Sequence, residues 1–193
     1  MFYYKGTDDG RGSVMTSDFL LIQKIKDGDD SAGGRFVEKY YASIYQYCFL
    51  HIHDRYCAED LTQETFVRFF ESVMGFRNTG KAKAYLYRIA GNIIKNYYRK
   101  KKEVQVEVED LPEKAEDNTA GIALRLDIEK AVDGLPEELK EITILFFFQE
   151  LKQKEIADLL GIKLSLVKYR VKKAKERLEV IYDETISEKN QGL

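Results

Sequence analysis

Apolar residues in this chain recur three and four positions apart, and few stretches alternate apolar with polar. That rhythm is what a helix with one buried face requires. SDFLLIQKIKDGDDSAGGRFVEKYYASIYQYCFLHI predicts a short helix, a Gly/Asp turn and a longer amphipathic helix. DRYCAEDLTQETFVRFFESVMGF predicts a third helix and KAKAYLYRIAGNIIKNYYRKKK a fourth, so residues 18–102 are expected to form a small bundle. The rhythm stops at 103–121, EVQVEVEDLPEKAEDNTAG, which is acidic, holds one of the two prolines and reads as a linker. It resumes over 122–185, with helices expected at 122–134, 137–150, 153–160 and 165–183. Pro136 stands at the start of the second of these, where a missing N–H costs little. Residues 1–17 are expected to be a disordered extension and 186–193 a frayed tail. The fold class this predicts is all-α: two small helical domains joined by an acidic linker, the second with a helix-turn-helix.

The helix-turn-helix expectation comes from KEIADLLGIKLSLVKYRVKKAKERL. Ile156, Leu159 and Leu160 make an apolar face, and Ala157 is small where a second helix must cross closely. Gly161 falls four residues later, at a turn where a positive φ suits glycine. Ile162 plugs the turn. Leu164, Val167, Val171, Ala174 and Leu178 then repeat at three-four spacing. This leaves Ser165, Lys168, Tyr169, Lys172 and Lys173 outward, with Arg170 among the same helix's cations. Such a helix enters the major groove, where its outer residues meet phosphates and base edges. Lys163 occupies the position where a Ser or Thr cap is usual, so Ser165 is expected to cap the helix instead.

Charge sharpens this picture. The whole chain is close to neutral, at −2, with 33% charged and 44% hydrophobic residues. Yet Arg99 to Lys102 are four consecutive cations, the last helix is strongly basic, and the linker between them is acidic. Two basic surfaces are therefore separated by an acidic strap. On the fourth helix, Leu86, Ile89, Ala90, Ile93 and Tyr97 share one face, while Tyr85, Arg88, Asn92, Lys95, Asn96 and Arg99 occupy another. An aromatic ring, amides and cations in that arrangement suit stacking on bases and holding the phosphates of a single strand.

Three segments in this order resemble the extracytoplasmic-function (ECF) sigma factors, small two-domain members of the bacterial sigma-70 family. They are AEDLTQETFVRFF, then AYLYRIAGNIIKNYYRKKK, then LPEELKEITILFFFQELKQKEIADLLGI with VKYRVKKAKERL after it. The resemblance covers about 18–182. It implies that residues 18–102 correspond to sigma region 2 and 122–185 to region 4. The third helix would dock on the β′ clamp helices of core RNA polymerase, with Asp60, Leu61, Gln63, Glu64 and Val67 as contacts. Leu61, Phe66, Phe69 and Phe70 would include its bundle-facing residues. The loop from Met74 to Lys83 would hold a flipped −10 base. Tyr85, Arg88, Asn92, Lys95, Asn96 and Arg99 would hold the melted strand, with Tyr85 where the family often has Trp. Ser165, Lys168, Tyr169, Arg170, Lys172 and Lys173 would face the −35 element. Leu166 and Tyr169 stand where the family often has Thr and Ser, which implies a changed −35 preference. The acidic linker would thread the RNA exit channel. The implied partners are core RNA polymerase, through the clamp helices and the β flap, promoter DNA, and an anti-sigma factor.

The resemblance implies a binding protein, with no enzymatic role and no cofactor. The residues carry no nucleophile–base constellation and no phosphate-cradling glycine loop. A stand-alone helix-turn-helix regulator is the alternative reading, but it leaves AEDLTQETF without a purpose. Cys48, His51, His53 and Cys57 are ligand types close in sequence, but their spacing matches no standard zinc pattern, so no metal is expected. The segment MFYYKGTDDGRGSV has no signal-peptide core, and no apolar run is long enough to span a bilayer. A cytoplasmic protein with reduced thiols is expected. Met15 is an expected translation start, since the resemblance begins just after it and Gly10-Arg11-Gly12 can be encoded by a purine-rich, ribosome-binding run.

Overall fold

A computed structural model describes the backbone of residues 13–77, 81–104 and 131–191, and side chains within 18–77, 81–102 and 131–181. Among the described residues every regular element is helical. The first bundle comprises α1 (Ser13–Lys26), α2 (Asp30–Ile52), α3 (Arg55–Ser72) with a 3₁₀ turn at Val73–Gly75, and α4 (Ala82–Val104). The second comprises α5 (Glu137–Thr143), a π-helical turn at Ile144–Phe148, α6 (Gln153–Leu160) and α7 (Leu164–Gln191).

Local chemistry explains the boundaries in the first bundle. Asp29 and Asp54 stand before α2 and α3 with extended backbones, and their carboxylates accept from Ala32 N–H (3.1 Å) and Cys57 N–H (2.8 Å). Each satisfies one orphan donor of a helix start. His53 ends α2 in the left-handed region at φ 57°, donating its N–H to Phe49 O. The core is aromatic: Phe36 stacks on Phe69 at 4.5 Å, and both are fully buried beside Ile44 and Leu86. Burying a side chain of this size contributes roughly 1.5–3 kcal/mol. Thr62 and Thr65 are buried as well, and each hydroxyl donates to a carbonyl one turn back, Ala58 O and Leu61 O, at 2.7 Å. On α1, the buried carboxylate of Asp18 accepts from Lys39 and Tyr40 at 2.5 Å, which clips α1 to α2.

The expected helix at 137–150 is interrupted. After Thr143 the helix widens: Gln149 donates its N–H to Ile144 O at 3.0 Å, five residues back. Five successive large apolar residues, ILFFF, cannot all face inward from a regular helix. The wide turn buries Ile144 and Leu145, leaves Phe147 exposed, and carries Gln149 inward until only 2% of it is accessible. Glu150 then takes φ 53°, a conformation costing on the order of 1–2 kcal/mol for a side chain with a Cβ.

The two bundles share one continuous apolar cluster. It runs from Ile22, Phe36 and Leu86 of the first through Ile142, Ile144, Leu145 and Leu151 to Ile156, Val167 and Val171 of the second. Leu135, Leu139 and Ala174 form a smaller cluster between α5 and α7.

Several expected boundaries move. Residues 13–17, expected in the extension, are helical in α1, and α7 runs helically through 186–191, past the expected fraying point. The sequence at the latter has no Gly before Gly192 and no Pro, so nothing breaks the helix there. Residues 103–104 belong to α4, not to the linker. The rest of the linker and most of the expected helix at 122–134 lie outside the described residues, with 131–133 helical.

Candidate nucleic-acid interface

The helix-turn-helix forms as its spacing requires. Gly161 adopts φ 66° and donates to Ala157 O, and Ile162 N–H reaches the same carbonyl at 3.1 Å. At the start of α6, Glu155 turns back to accept from Lys152 N–H at 2.8 Å. Lys163, not Ser165, is the N-cap of α7: its carbonyl accepts from Leu166 and Val167, and Ser165 lies in the first turn. The backbone sets the start there without a side-chain acceptor.

On α7, Val167, Val171 and Ala174 are buried, while Ser165, Lys168, Tyr169, Lys172 and Lys173 are exposed. Tyr169, 57% exposed, projects an aromatic ring from the cationic face. Lys172 and Lys173 both approach Glu176, at 3.9 and 2.9 Å. Arg170 departs from expectation. It is partly buried and pairs with Glu138 of α5 at 2.9 Å, so its guanidinium is engaged in holding α5 against α7. Residues three apart from Val167 turn towards the partner helix, and only the position of α5 reveals this.

On α3, Asp60, Gln63 and Val67 are exposed. Glu64 is half-exposed and pairs with Arg68 at 2.5 Å, an ordinary one-turn ion pair. Leu61, grouped with them as a contact, is 7% exposed and packs in the core. It lies on the same inward stripe as Phe66 and Phe69, so its role is in the bundle.

On α4, Leu86, Ala90 and Ile93 are buried as the spacing predicts, and so are Tyr87 and Ile94. Arg88, Asn92, Lys95 and Arg99 line one side of an open cleft of about 710 Å³, together with Lys102. The opposite side comes from the second bundle, through Glu137, Lys140, Glu141, Leu159 and Leu160. Tyr85 and Asn96 sit off this line and are partly buried. Tyr85 stacks on Phe76 at 4.6 Å and donates to Ser72 Oγ at 3.0 Å, so the candidate base-stacking ring rests between the last residue of α3 and the segment just after the 3₁₀ turn. Lys26 fixes the same corner by donating to Phe76 O at 2.7 Å. Residues 78–80 of the loop expected to hold a flipped base lie outside the described residues.

The contacts between the bundles were not legible in the sequence. Tyr87 donates to Gln149 Oε1 at 2.7 Å, and Lys83 Nζ donates to Gln149 O at 2.7 Å. Lys81 pairs with Asp158 at 2.7 Å, and Arg88 donates to the Asp158 carbonyl at 3.3 Å. Tyr47 donates to Glu141 Oε1 at 2.8 Å, and His51 Nε2 lies 3.1 Å from Glu141 Oε2. Burial pushes the Glu141 carboxyl up, but hydrogen bonding and charge from His51, with Tyr47 and Lys95, outweigh it and leave the group below its usual range. Burial also lowers Lys83 and raises Tyr87 to about 12. Gln149 offered one signal, a lone amide after five apolar residues; Asp158 offered none.

Cys48, His51, His53 and Cys57 serve separate purposes. Cys48 is in the core, where burial raises its thiol to about 11. His53 caps α2 and meets Asp133 at 3.0 Å, and Cys57 Sγ lies 3.7 Å from the Tyr97 hydroxyl. Among the described residues no three His, Cys, Asp or Glu side chains gather as a metal site, and no helix is long and apolar enough to cross a membrane.

Comparison with known proteins follows the same two blocks. Residues 36–104 match Sigma-70 region 2, and residues 125–178 match Sigma-70, region 4. The chain is 30% identical over 175 residues to ECF RNA polymerase sigma factor SigW of Bacillus subtilis, covering 81% of this chain and 92% of that one. It is 32% identical over 153 residues to RNA polymerase sigma factor YlaC of the same organism, covering 73% and 86%. Among solved structures it is similar to CnrH in complex with the cytosolic domain of CnrY, with TM-score 0.71, 20% identity, and coverage of 87% and 98%. It is also similar to the sigma factor RpoE in complex with the anti-sigma factor NepR from Bartonella quintana, with TM-score 0.64, 22% identity, and coverage of 78% and 96%. At these identities the structural likeness speaks for the fold.

Proposed function

The chain belongs to the ECF sigma factors of the sigma-70 family, and on that premise we propose how its residues divide the work of promoter selection. The exposed face of α3, with Asp60, Gln63, Glu64 and Val67, binds the clamp helices of core RNA polymerase. The cationic side of α4 holds the unpaired −10 strand: Tyr85 stacks on a base while Arg88, Lys95 and Arg99 take phosphates and Asn92 and Asn96 offer amides. The outer face of α7 reads the −35 duplex through Ser165, Lys168 and Tyr169, with Lys172 and Lys173 on the phosphate backbone. The protein supplies binding energy and the polymerase does the chemistry. Capturing flipped bases costs a few kcal/mol, which stacking at roughly 1–3 kcal/mol per base and phosphate contacts offset. An anti-sigma factor that engages both bundles is the partner proposed for control, and the cytoplasm is the proposed site of action.

The observation that carries this division is the presence of two separate cationic helical faces, one beside the Tyr85 ring and one on the second helix of a helix-turn-helix. Run-off transcription tests it. Core polymerase plus this chain is expected to initiate from a subset of promoters in a genomic library, and Asp60→Lys with Glu64→Lys is expected to abolish both initiation and core pull-down. Specific high-affinity duplex binding by the free chain, without any core-dependent transcript, would support a stand-alone regulator instead.

A further inference from the structure

The first turns of α7 present an uneven set of side chains for a helix that enters a groove. From Lys163 to Lys175 there is no Asn, Gln, Asp or Glu, and the one arginine of that stretch, Arg170, pairs with Glu138 of α5 at 2.9 Å. The groups that grip an adenine edge with an amide, a cytosine amine with a carboxylate or a guanine with a guanidinium fork are therefore missing from the reading face. Lys172 and Lys173 lean along the helix towards Glu176, at 3.9 and 2.9 Å. Base edges are met near the start of such a helix. What faces outward there is Ser165, Lys168 and two apolar side chains, Leu166 at 37% exposure and the Tyr169 ring.

Leu166 and Tyr169 are three residues apart and so lie side by side on the helix surface. The fold does not use them: Val167, Val171 and Ala174 fill the buried face of the same helix. The helical step places Lys168 and Lys172 on one side of the pair and Lys173 on the other. An apolar spot bordered by cations fits a surface that is anionic at its rims and apolar at its floor. The major groove has that form where a thymine presents its C5 methyl between the phosphate backbones.

We propose that Leu166 and Tyr169 read the −35 element by apolar contact with thymine C5 methyl groups. This rests on the assignment of α7 as the −35-reading helix. The flanking lysines hold phosphates, which position the helix without carrying sequence information. Discrimination at the base pairs facing Leu166 and Tyr169 then comes from the methyl: A·T is favoured over G·C, and the strand that carries the thymine sets the orientation. The Tyr169 ring makes the contact, and its hydroxyl is not required.

The test uses holoenzyme reconstituted from core RNA polymerase and the full chain, with a promoter that this holoenzyme selects from a genomic library. Each thymine of the −35 duplex, on either strand, is replaced in turn by deoxyuridine. That change keeps every hydrogen-bonding group and removes only the methyl. At a thymine facing the pair, wild-type holoenzyme is expected to bind the deoxyuridine duplex about four-fold more weakly, the loss for one buried methyl group. Leu166→Ala and Tyr169→Ala are each expected to weaken binding to the thymine duplex and to erase the deoxyuridine effect at the position they touch, a protein-by-methyl double-mutant cycle. Both positions are exposed, so the alanine variants keep the fold. Tyr169→Phe is expected to retain the full methyl effect. The proposal is overturned if the selected −35 element has no A·T pair, if no thymine in it is methyl-sensitive, or if the sensitivity persists undiminished in both alanine variants. Run-off transcription separates the two readings. Absence of core-dependent initiation overturns the assignment of α7 and this inference together, whereas initiation without methyl sensitivity overturns this inference alone.

Discussion

The Tyr87 hydroxyl of α4 donates to Gln149 Oε1 at 2.7 Å, and both residues are almost wholly buried at the junction of the two bundles. This bond is one of several polar contacts that join the bundles beside their shared apolar cluster. Such bonds contribute modestly when made and cost heavily when one partner is left alone. Gln149→Leu, which strands the Tyr87 hydroxyl, and Tyr87→Phe, which strands Gln149 Oε1, are each expected to destabilise the chain by about 1–3 kcal/mol. Urea unfolding followed by circular dichroism gives both values. A double-mutant cycle with no coupling between the two positions would refute the bond's role.

Gly91 stands mid-way along α4 because Tyr47 reaches over it. A Cβ at this position would lie 3.1 Å from the Tyr47 hydroxyl. The Tyr47 ring is edge-on to both His51 and Tyr87 and is 1% exposed, so it cannot retreat without losing its bond to Glu141. Gly91→Ala should therefore fail to deliver the roughly 1 kcal/mol that alanine brings to a helix interior. In a Tyr47→Phe background, where no hydroxyl is present, the same substitution is expected to stabilise. Thermal melts of the four proteins decide it, and equal gains in both backgrounds would remove the steric argument.

Glu141 gives the closed form a pH limit. Its carboxyl is held below the usual value of 4.5 by His51 and Tyr47 against the opposing effect of burial. A group whose folded pKa is depressed contributes stability above its unfolded pKa and loses it as pH falls through the folded value. Stability is thus expected to decline as pH falls below about 4.5, more steeply in the wild type than in Glu141→Gln. Denaturant midpoints across the acid range measure the slopes. Parallel slopes would show that Glu141 is not linked to folding.

On α7, base reading and phosphate holding should separate. Tyr169 and Lys168 lie near the start of the helix, and Lys172 and Lys173 one turn further along. Lys172→Ala is expected to weaken holoenzyme binding on every promoter and to lower the salt slope by about one. Tyr169→Ala is expected to reorder a promoter series with little change in slope. An unchanged ranking for Tyr169→Ala would take that residue out of sequence reading. Arg170→Ala should behave as a stability variant, because its guanidinium pairs with Glu138.

Of the stripe that periodicity predicts for α4, Leu86, Ala90 and Ile93 are buried while Ile89 and Tyr97 are half-buried, and Ala157 with Gly161 marked the helix-turn-helix down to the residue that adopts a positive φ. These features were legible because each depends on neighbours within one or two turns. Exposure of Lys168 and Tyr169 followed from the same rule, whereas Asp60 and Gln63, also exposed, were expected only from the family resemblance. Leu61, expected both as a polymerase contact and among the bundle-facing residues, is buried in the core, and Arg170, expected to face DNA, pairs with Glu138. Local spacing does not choose between such settings, because each depends on what packs across from the side chain.

What the sequence determined by itself was the set of helices, their inward faces and the segregation of charge, because hydrophobic spacing and turn chemistry act locally along the chain. Only the tertiary structure decided that the π-turn would drive Gln149 inward, that Asp158 would meet Lys81, and that Glu141 would settle between Tyr47 and His51. Those partners are far apart in sequence, and no periodic signal connects them. They meet because the apolar faces of two bundles close into one cluster, and the polar groups carried into that seam must then find one another or remain unsatisfied.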